Sequence, residues 1–269
     1  MNDCRGSIIR TLILGYLIFG FGIYAAAQCR APHYHAVRSL NTDVGVLRIS
    51  IQPRDFGPEN LICLVQTLKE RHPRWKSILL QIYGSQYAAQ VYTDPGSEAP
   101  SMRYRPEVQP HALYSLDPEK KENALFLFPF GWWDTPESES TEIDLPVSGR
   151  PHCRVAICDR CLMIALPVEY PYAALKEPAW GKVTLEGIIT SEGKVADIRV
   201  QNIEVNQSAE GKLLAEAAEQ NLASWQLEPR RGQDPLQITY SYILDPSLGR
   251  NLTDFRFDLP TQIVIRGSP

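Results

Sequence analysis

The hydrophobic pattern changes period several times along the chain, and each change marks an element. Leu47, Ile49 and Ile51 alternate with Arg48 and Ser50, the period of a strand with one buried face. Gly57-Pro58 follows, and a proline at a first helical position with Glu59 beside it starts a helix. Leu61, Leu64, Val65 and Leu68 recur at helical spacing until His72-Pro73 stops it. Ser77 to Tyr83 is a second, more continuously apolar strand. Beyond a proline-rich loop from Asp94 to Pro110, Ala112 to Leu116 and Ala124 to Phe128 predict two strands across the polar turn Asp117 to Asn123. Residues 44–132 therefore read β-α-β-β, an order that favours a right-handed crossover and an α/β sandwich.

A second set of elements begins near Leu162. Val183, Leu185 and Ile189 alternate with Thr184 and Glu186, and Ser191-Glu192-Gly193 makes a turn. Val195, Ile198 and Val200 continue on a returning strand whose alternation slips by one, which predicts a bulge. Leu214, Ala218, Leu222 and Trp225 form one stripe of a helix. Leu236, Ile238, Tyr240, Tyr242 and Leu244 alternate strictly through the last strong strand. The order is β-β-α-β: one helix on a three-stranded antiparallel sheet whose other face is left to water or a partner. The expected class is thus α+β, with two small sandwich-type domains at 44–132 and 162–246.

The remaining segments are connections. Arg30 to Thr42 has no clear period and reads as an extended lead-in, a disordered arm carrying His33 and His35. Residues 133–161 read as a linker, because Asp134 to Gly149 is acidic and broken by Pro136 and Pro146. Residues 247–269 hold further strand-like runs, Phe255-Arg256-Phe257 and Ile263-Val264-Ile265, divided by Pro260. They are expected to extend one of the sheets.

The first 27 residues differ from the rest. Arg5 and Arg10 precede an apolar run from Leu12 that closes on Ala25-Ala26-Ala27, the layout of a secretory signal peptide. Retention of residues 8–27 as an anchor is the alternative. Either way the bulk of the chain is expected outside the cytoplasm, in the periplasm, with membrane contact only through residues 8–27 if they are kept.

Composition adds exclusions. With 44% hydrophobic and 22% charged residues among 269, the chain can build a proper core. A net charge of −4 gives no electrostatic footprint for nucleic acid. No nucleophile elbow, phosphate-binding glycine loop or His-Glu-x-x-His pattern occurs, so neither an enzyme nor a cofactor is expected. Cys153, Cys158 and Cys161, with His152 before them, are the densest ligand cluster. In an exported chain they read first as disulfide partners. A zinc site or a thiol redox centre stays open as the alternative. Excluding Cys4, five cysteines remain, which leaves one thiol free or paired between chains.

Tyr170-Pro171 with Ala174 opens an ordered set of markers that continues with Gly181, Gly193 and Val195. Ala217-Ala218, Trp225, Pro229, Gly232 and Pro235 complete it. This set resembles the C-terminal domain of the TonB family of energy transducers. The resemblance implies a protein-interaction module whose partner is an outer-membrane TonB-dependent receptor, docked by adding a strand to an exposed sheet edge. The strand Leu236–Leu244, with Leu236, Ile238, Tyr240, Tyr242 and Leu244, is the expected receiving edge. Two features depart from a full transducer. A folded unit replaces the long Pro-, Lys- and Glu-rich spacer, and the anchor is expected to be cleaved. An inner-membrane-anchored transducer is the alternative.

Overall fold

The structure is a computed structural model that describes residues 29, 31–41, 44–91, 109–132, 134, 135, 137, 139–147, 151–206, 208–248, 253–258 and 262–268. Among them the chain is α+β, with several sheets and few helices. The predicted targeting segment 1–27 lies outside the described residues.

The first sheet begins with β1 (Tyr34–Asn41), antiparallel to β2 (Val44–Ile51). Helix α1 (Pro58–Arg71) then crosses to β3 (Ser77–Tyr83), parallel to β2. A short helix, α2 (Gln86–Val91), precedes β4 (Ala112–Asp117), β5 (Glu122–Leu127) and β6 (Thr141–Asp144), which extend the sheet antiparallel. Leu47, Ile49 and Ile51 of β2 and Ile78, Leu80 and Ile82 of β3 pack against Leu61, Leu64, Val65 and Leu68 of α1 in one core. Proline at the helix start and His72 at its end bound α1 as the sequence predicts.

Two segments differ from expectation here. The lead-in expected as a disordered arm contains β1, because its chain adds to the free edge of β2. A disulfide from Cys29 to Cys63 holds its start to α1. The acidic stretch expected as a linker contributes β6. There Thr141 and Ile143 are buried while Glu142 and Asp144 are exposed, so the carboxylates cost nothing on the open face.

Next come β7 (Ala156–Ile157) and β8 (Arg160–Ile164), then α3 (Tyr172–Lys176). The second large sheet follows, from β9 (Gly181–Ile189) and β10 (Val195–Val205). Helix α4 (Ser208–Ala223) leads through β11 (Gln226–Leu227) to β12 (Asp234–Leu244), β13 (Thr253–Asp258) and β14 (Gln262–Gly267). The sheet order is β10-β9-β12-β14-β13, so the expected three strands are joined by two more from the C-terminal segment. Its core gathers Val183, Leu185 and Ile189 with Leu214, Ala218, Leu222 and Trp225, and adds Ile263 and Ile265 of β14.

Strand β8 belongs to both cores. Cys161 and Met163 point into the first, and Leu162 points into the second. The period of two makes one strand a common wall. It pairs with β7 on one side and β11 on the other.

Candidate interaction surface

The frame of the second sheet is set by two closely packed glycines and one buried arginine. Gly193 closes the β9–β10 turn at φ +82°, and a Cβ there would lie 2.0 Å from the Leu227 carbonyl oxygen. Gly181 opens β9 with a Cβ position 2.1 Å from the Glu204 carbonyl oxygen. Arg160, fully buried, binds this turn to the start of β12. Its guanidinium meets the Asp234 carboxylate at 2.7 Å and donates to the carbonyls of Thr190 (2.8 Å) and Gly232 (3.2 Å). Three elements are thereby held by one side chain.

Under the sheet, Asn221 is the node of a buried network. Its Oδ1 accepts from Tyr240 Oη at 2.8 Å and from Trp225 Nε1 at 3.1 Å, and its Nδ2 donates to the Leu166 carbonyl at 2.6 Å. Tyr242 Oη donates to the Leu214 carbonyl at 3.0 Å, and the Tyr170 hydroxyl donates to the Ala179 carbonyl. The Tyr170 and Tyr242 rings meet edge to face at 5.3 Å. Burial pushes the Tyr170 hydroxyl up to about 12, and burial followed by the charge of a neighbouring tyrosine raises Tyr240 and Tyr242 further. Tyr170 and Trp225 are therefore core members held by hydrogen bonds. Pro171 caps the start of α3, and Pro229, half-buried after β11, lies in the connection towards β12.

The strand expected to receive a partner is covered along its outer side by another strand of the same chain. Strand β12 pairs antiparallel with β9 from Asp234 to Tyr242 and parallel with β14 from Thr239 to Leu244, so it is an inner strand. Leu236, Ile238, Tyr240 and Tyr242 are buried against the core, and Leu244 is half-buried beside it. The physical reason lies in the C-terminal segment. Ile263 and Ile265 alternate with half-exposed Val264 and exposed Arg266, so β14 has its own apolar face to bury. Tyr170 and Leu175 press on Gly267 and fix its end. Strand β13 then becomes one margin of the sheet, and its Phe255 ring meets Phe130 edge to face at 4.9 Å.

The opposite margin is β10, which sequence reasoning did not single out. Its bulge was legible: the register shifts between Ala196 and Arg199 as predicted, and again between Val200 and Asn202. Val200 and Ile203 are exposed apolar residues on it. On the face away from α4, Gln237, Gln201 and Glu186 form a hydrogen-bonded chain and the Thr184 and Thr239 hydroxyls pair, so that face is polar and wet.

Cys153 and Cys161 are joined in a disulfide with Cα atoms 5.5 Å apart. No described cysteine is a free thiol, which corrects the expected odd one, Cys158 included. No group of three or more metal-ligating side chains occurs among the described residues. His33 and His35 stack edge to face with ring centroids 4.9 Å apart, at the start of β1. No described helix is long and apolar enough to cross a membrane.

Residues 167–244 match the family described as Gram-negative bacterial TonB protein C-terminal. The matched stretch runs from just before Tyr170 to the end of β12, under a third of the chain, and stops short of β13 and β14. No curated protein and no solved structure matches the chain.

Proposed function

With residues 167–244 taken as a TonB C-terminal domain, we propose that the protein is a periplasmic interaction module that docks a segment of an outer-membrane TonB-dependent receptor by strand addition along β12. The observation that carries this reading is β14. A six-residue strand from outside the matched stretch lies parallel along Thr239–Leu244, on the side of β12 away from β9. The outer side of β12 is therefore competent to receive a strand, and backbone hydrogen bonds give such docking affinity with little demand on the guest's sequence. In this reading the receptor segment exchanges with β14. The disulfides Cys29–Cys63 and Cys153–Cys161 suit an oxidising compartment. The matched family is one of interaction domains, not enzymes. The shared strand β8 favours a binding role over a pulling arm, because its side chains contribute to both cores.

The test is a staple. Ser241 and Val264 are partners in the parallel register, so Ser241→Cys with Val264→Cys locks β14 onto β12. Capture of immobilised receptor plug segments by the exported chain is expected to fall to background in the stapled variant. Equal capture by stapled and unstapled protein rules out exchange at β12. Capture by neither rules out receptor docking itself.

A further inference from the structure

We propose that β10 pairs antiparallel with β10 of a second copy of this chain, joining two five-stranded sheets across a two-fold axis. Among the described residues the strand is the end of its sheet, contacts only β9 and α4 extensively, and exposes most of its side chains from Ile198 to Val205. An unpaired edge of this length is a template for another strand, and natural proteins ordinarily blunt it. This edge is not blunted by proline or lysine; instead it carries a sequence complementary to itself.

Symmetric antiparallel strands oppose each residue to a fixed counterpart. With the axis between Gln201 and Asn202, Gln201 faces Asn202, Val200 faces Ile203, Arg199 faces Glu204 and Ile198 faces Val205. Each match occurs twice. The two exposed apolar residues of the strand, Val200 at 38% and Ile203 at 42%, cover one another. The single cation of this span meets its single carboxylate.

The sides agree as well. Val200, Ile203 and Val205 pair in register with Leu185, Val183 and Gly181, and Ile198 packs on the same core, so all four lie on the α4 face. Arg199, Asn202 and Glu204 pair with Glu186, Thr184 and Lys182 on the polar face, and Gln201 reaches Glu186 there. The register shift between Val200 and Asn202 places Gln201 and Asn202 together on that face. Alternation is therefore symmetric about the proposed axis, and every opposed pair shares a face. A strand without that bulge would set apolar residues against polar ones in this register.

Sedimentation equilibrium of the exported chain is expected to show a reversible dimer. Arg199→Glu puts like charges opposite each other in both symmetric pairs and is expected to weaken the dimer about tenfold or more. Arg199→Glu with Glu204→Arg restores the opposition with signs reversed and is expected to return dimerisation to within about threefold of wild type. Both positions are exposed, so circular dichroism should report unchanged folds. A chain that stays monomeric at every concentration overturns the proposal. So does a dimer indifferent to Arg199→Glu, or one that the double reversal fails to restore. Receptor capture at β12 is a separate readout and is expected to be the same in all three proteins.

Discussion

The two cores share a wall yet are closed by different means. The first is filled mainly by aliphatic side chains of α1 and of strands β2 to β6 around Phe56, with one hydrogen-bonded tyrosine, Tyr114, and a disulfide at its rim. The second places Trp225, Tyr240, Tyr242 and Tyr170 in its interior and must find a partner for each polar end. Interchangeable aliphatics fix a volume and a pattern, whereas buried polar aromatics fix individual residues at individual places. A network of that kind leaves markers in the sequence, and the matched stretch 167–244 covers most of the second core.

The largest test of this contrast is whether the cores melt together. Trp225 is 1% exposed and bonded to Asn221, so Trp225→Ala opens a cavity and removes one of the two donors to Asn221 Oδ1. It is expected to cost about 3–5 kcal/mol. Because β8 contributes to both cores, scanning calorimetry is expected to show one transition that moves as a whole. Splitting into two peaks, with only the lower one shifted, would mean that the shared strand does not couple them.

How much of this was legible follows from the same contrast. Helix α1, the α4 stripe and the alternation of β12 were readable, since each buries one face at a fixed period. The marker set from Tyr170 to Pro235 was readable as a resemblance for the reason just given. The position of β12 was not, because alternation specifies which face is buried and says nothing about neighbours along the hydrogen-bonding direction. Ile263 and Ile265 decide that, and they come from a segment that offered only short strand-like runs. Strands β1 and β6 were missed for a related reason: both are margins, where one partner strand suffices and a long apolar pattern is not required. Arg160 gave no signal at all, since a lone arginine near cysteines does not announce a buried clamp across Asp234, Thr190 and Gly232.

Acid should weaken the fold through the first core. His111 is buried between β3 and β5, meets Phe56 edge to face, and donates from Nδ1 to the Phe128 carbonyl at 3.2 Å. Burial lowers its pKa from 6.5 to about 4, against the opposing pull of the Phe128 and Pro129 carbonyls. The folded protein thus keeps the ring neutral where the unfolded chain binds a proton. Its contribution is complete above about 6.5 and is lost as pH falls towards 4, by roughly 3 kcal/mol at most. His111→Asn keeps a donor for Phe128 and removes the titration. Urea unfolding at pH 4.5 and 7.5 is expected to differ less in this variant than in wild type, and an unchanged difference would assign the acid sensitivity elsewhere.

Base should strike the second core, with the smallest effect at neutral pH. Tyr242 donates to Leu214, and Tyr242→Phe is expected to cost about 1 kcal/mol there. The sign reverses at high pH. Burial holds the Tyr240 and Tyr242 hydroxyls above their ordinary value of 10, so the folded state retains protons that the unfolded chain releases. Stability is then full below about 10 and declines as pH rises beyond it. Phenylalanine has no proton to release, so the variant begins weaker and loses less. Denaturant midpoints measured from pH 8 to pH 11.5 are expected to converge between the two proteins. Parallel curves across that range would mean that Tyr242 ionises as freely in the folded core as in water, which its burial on β12 against the Tyr170 ring does not permit.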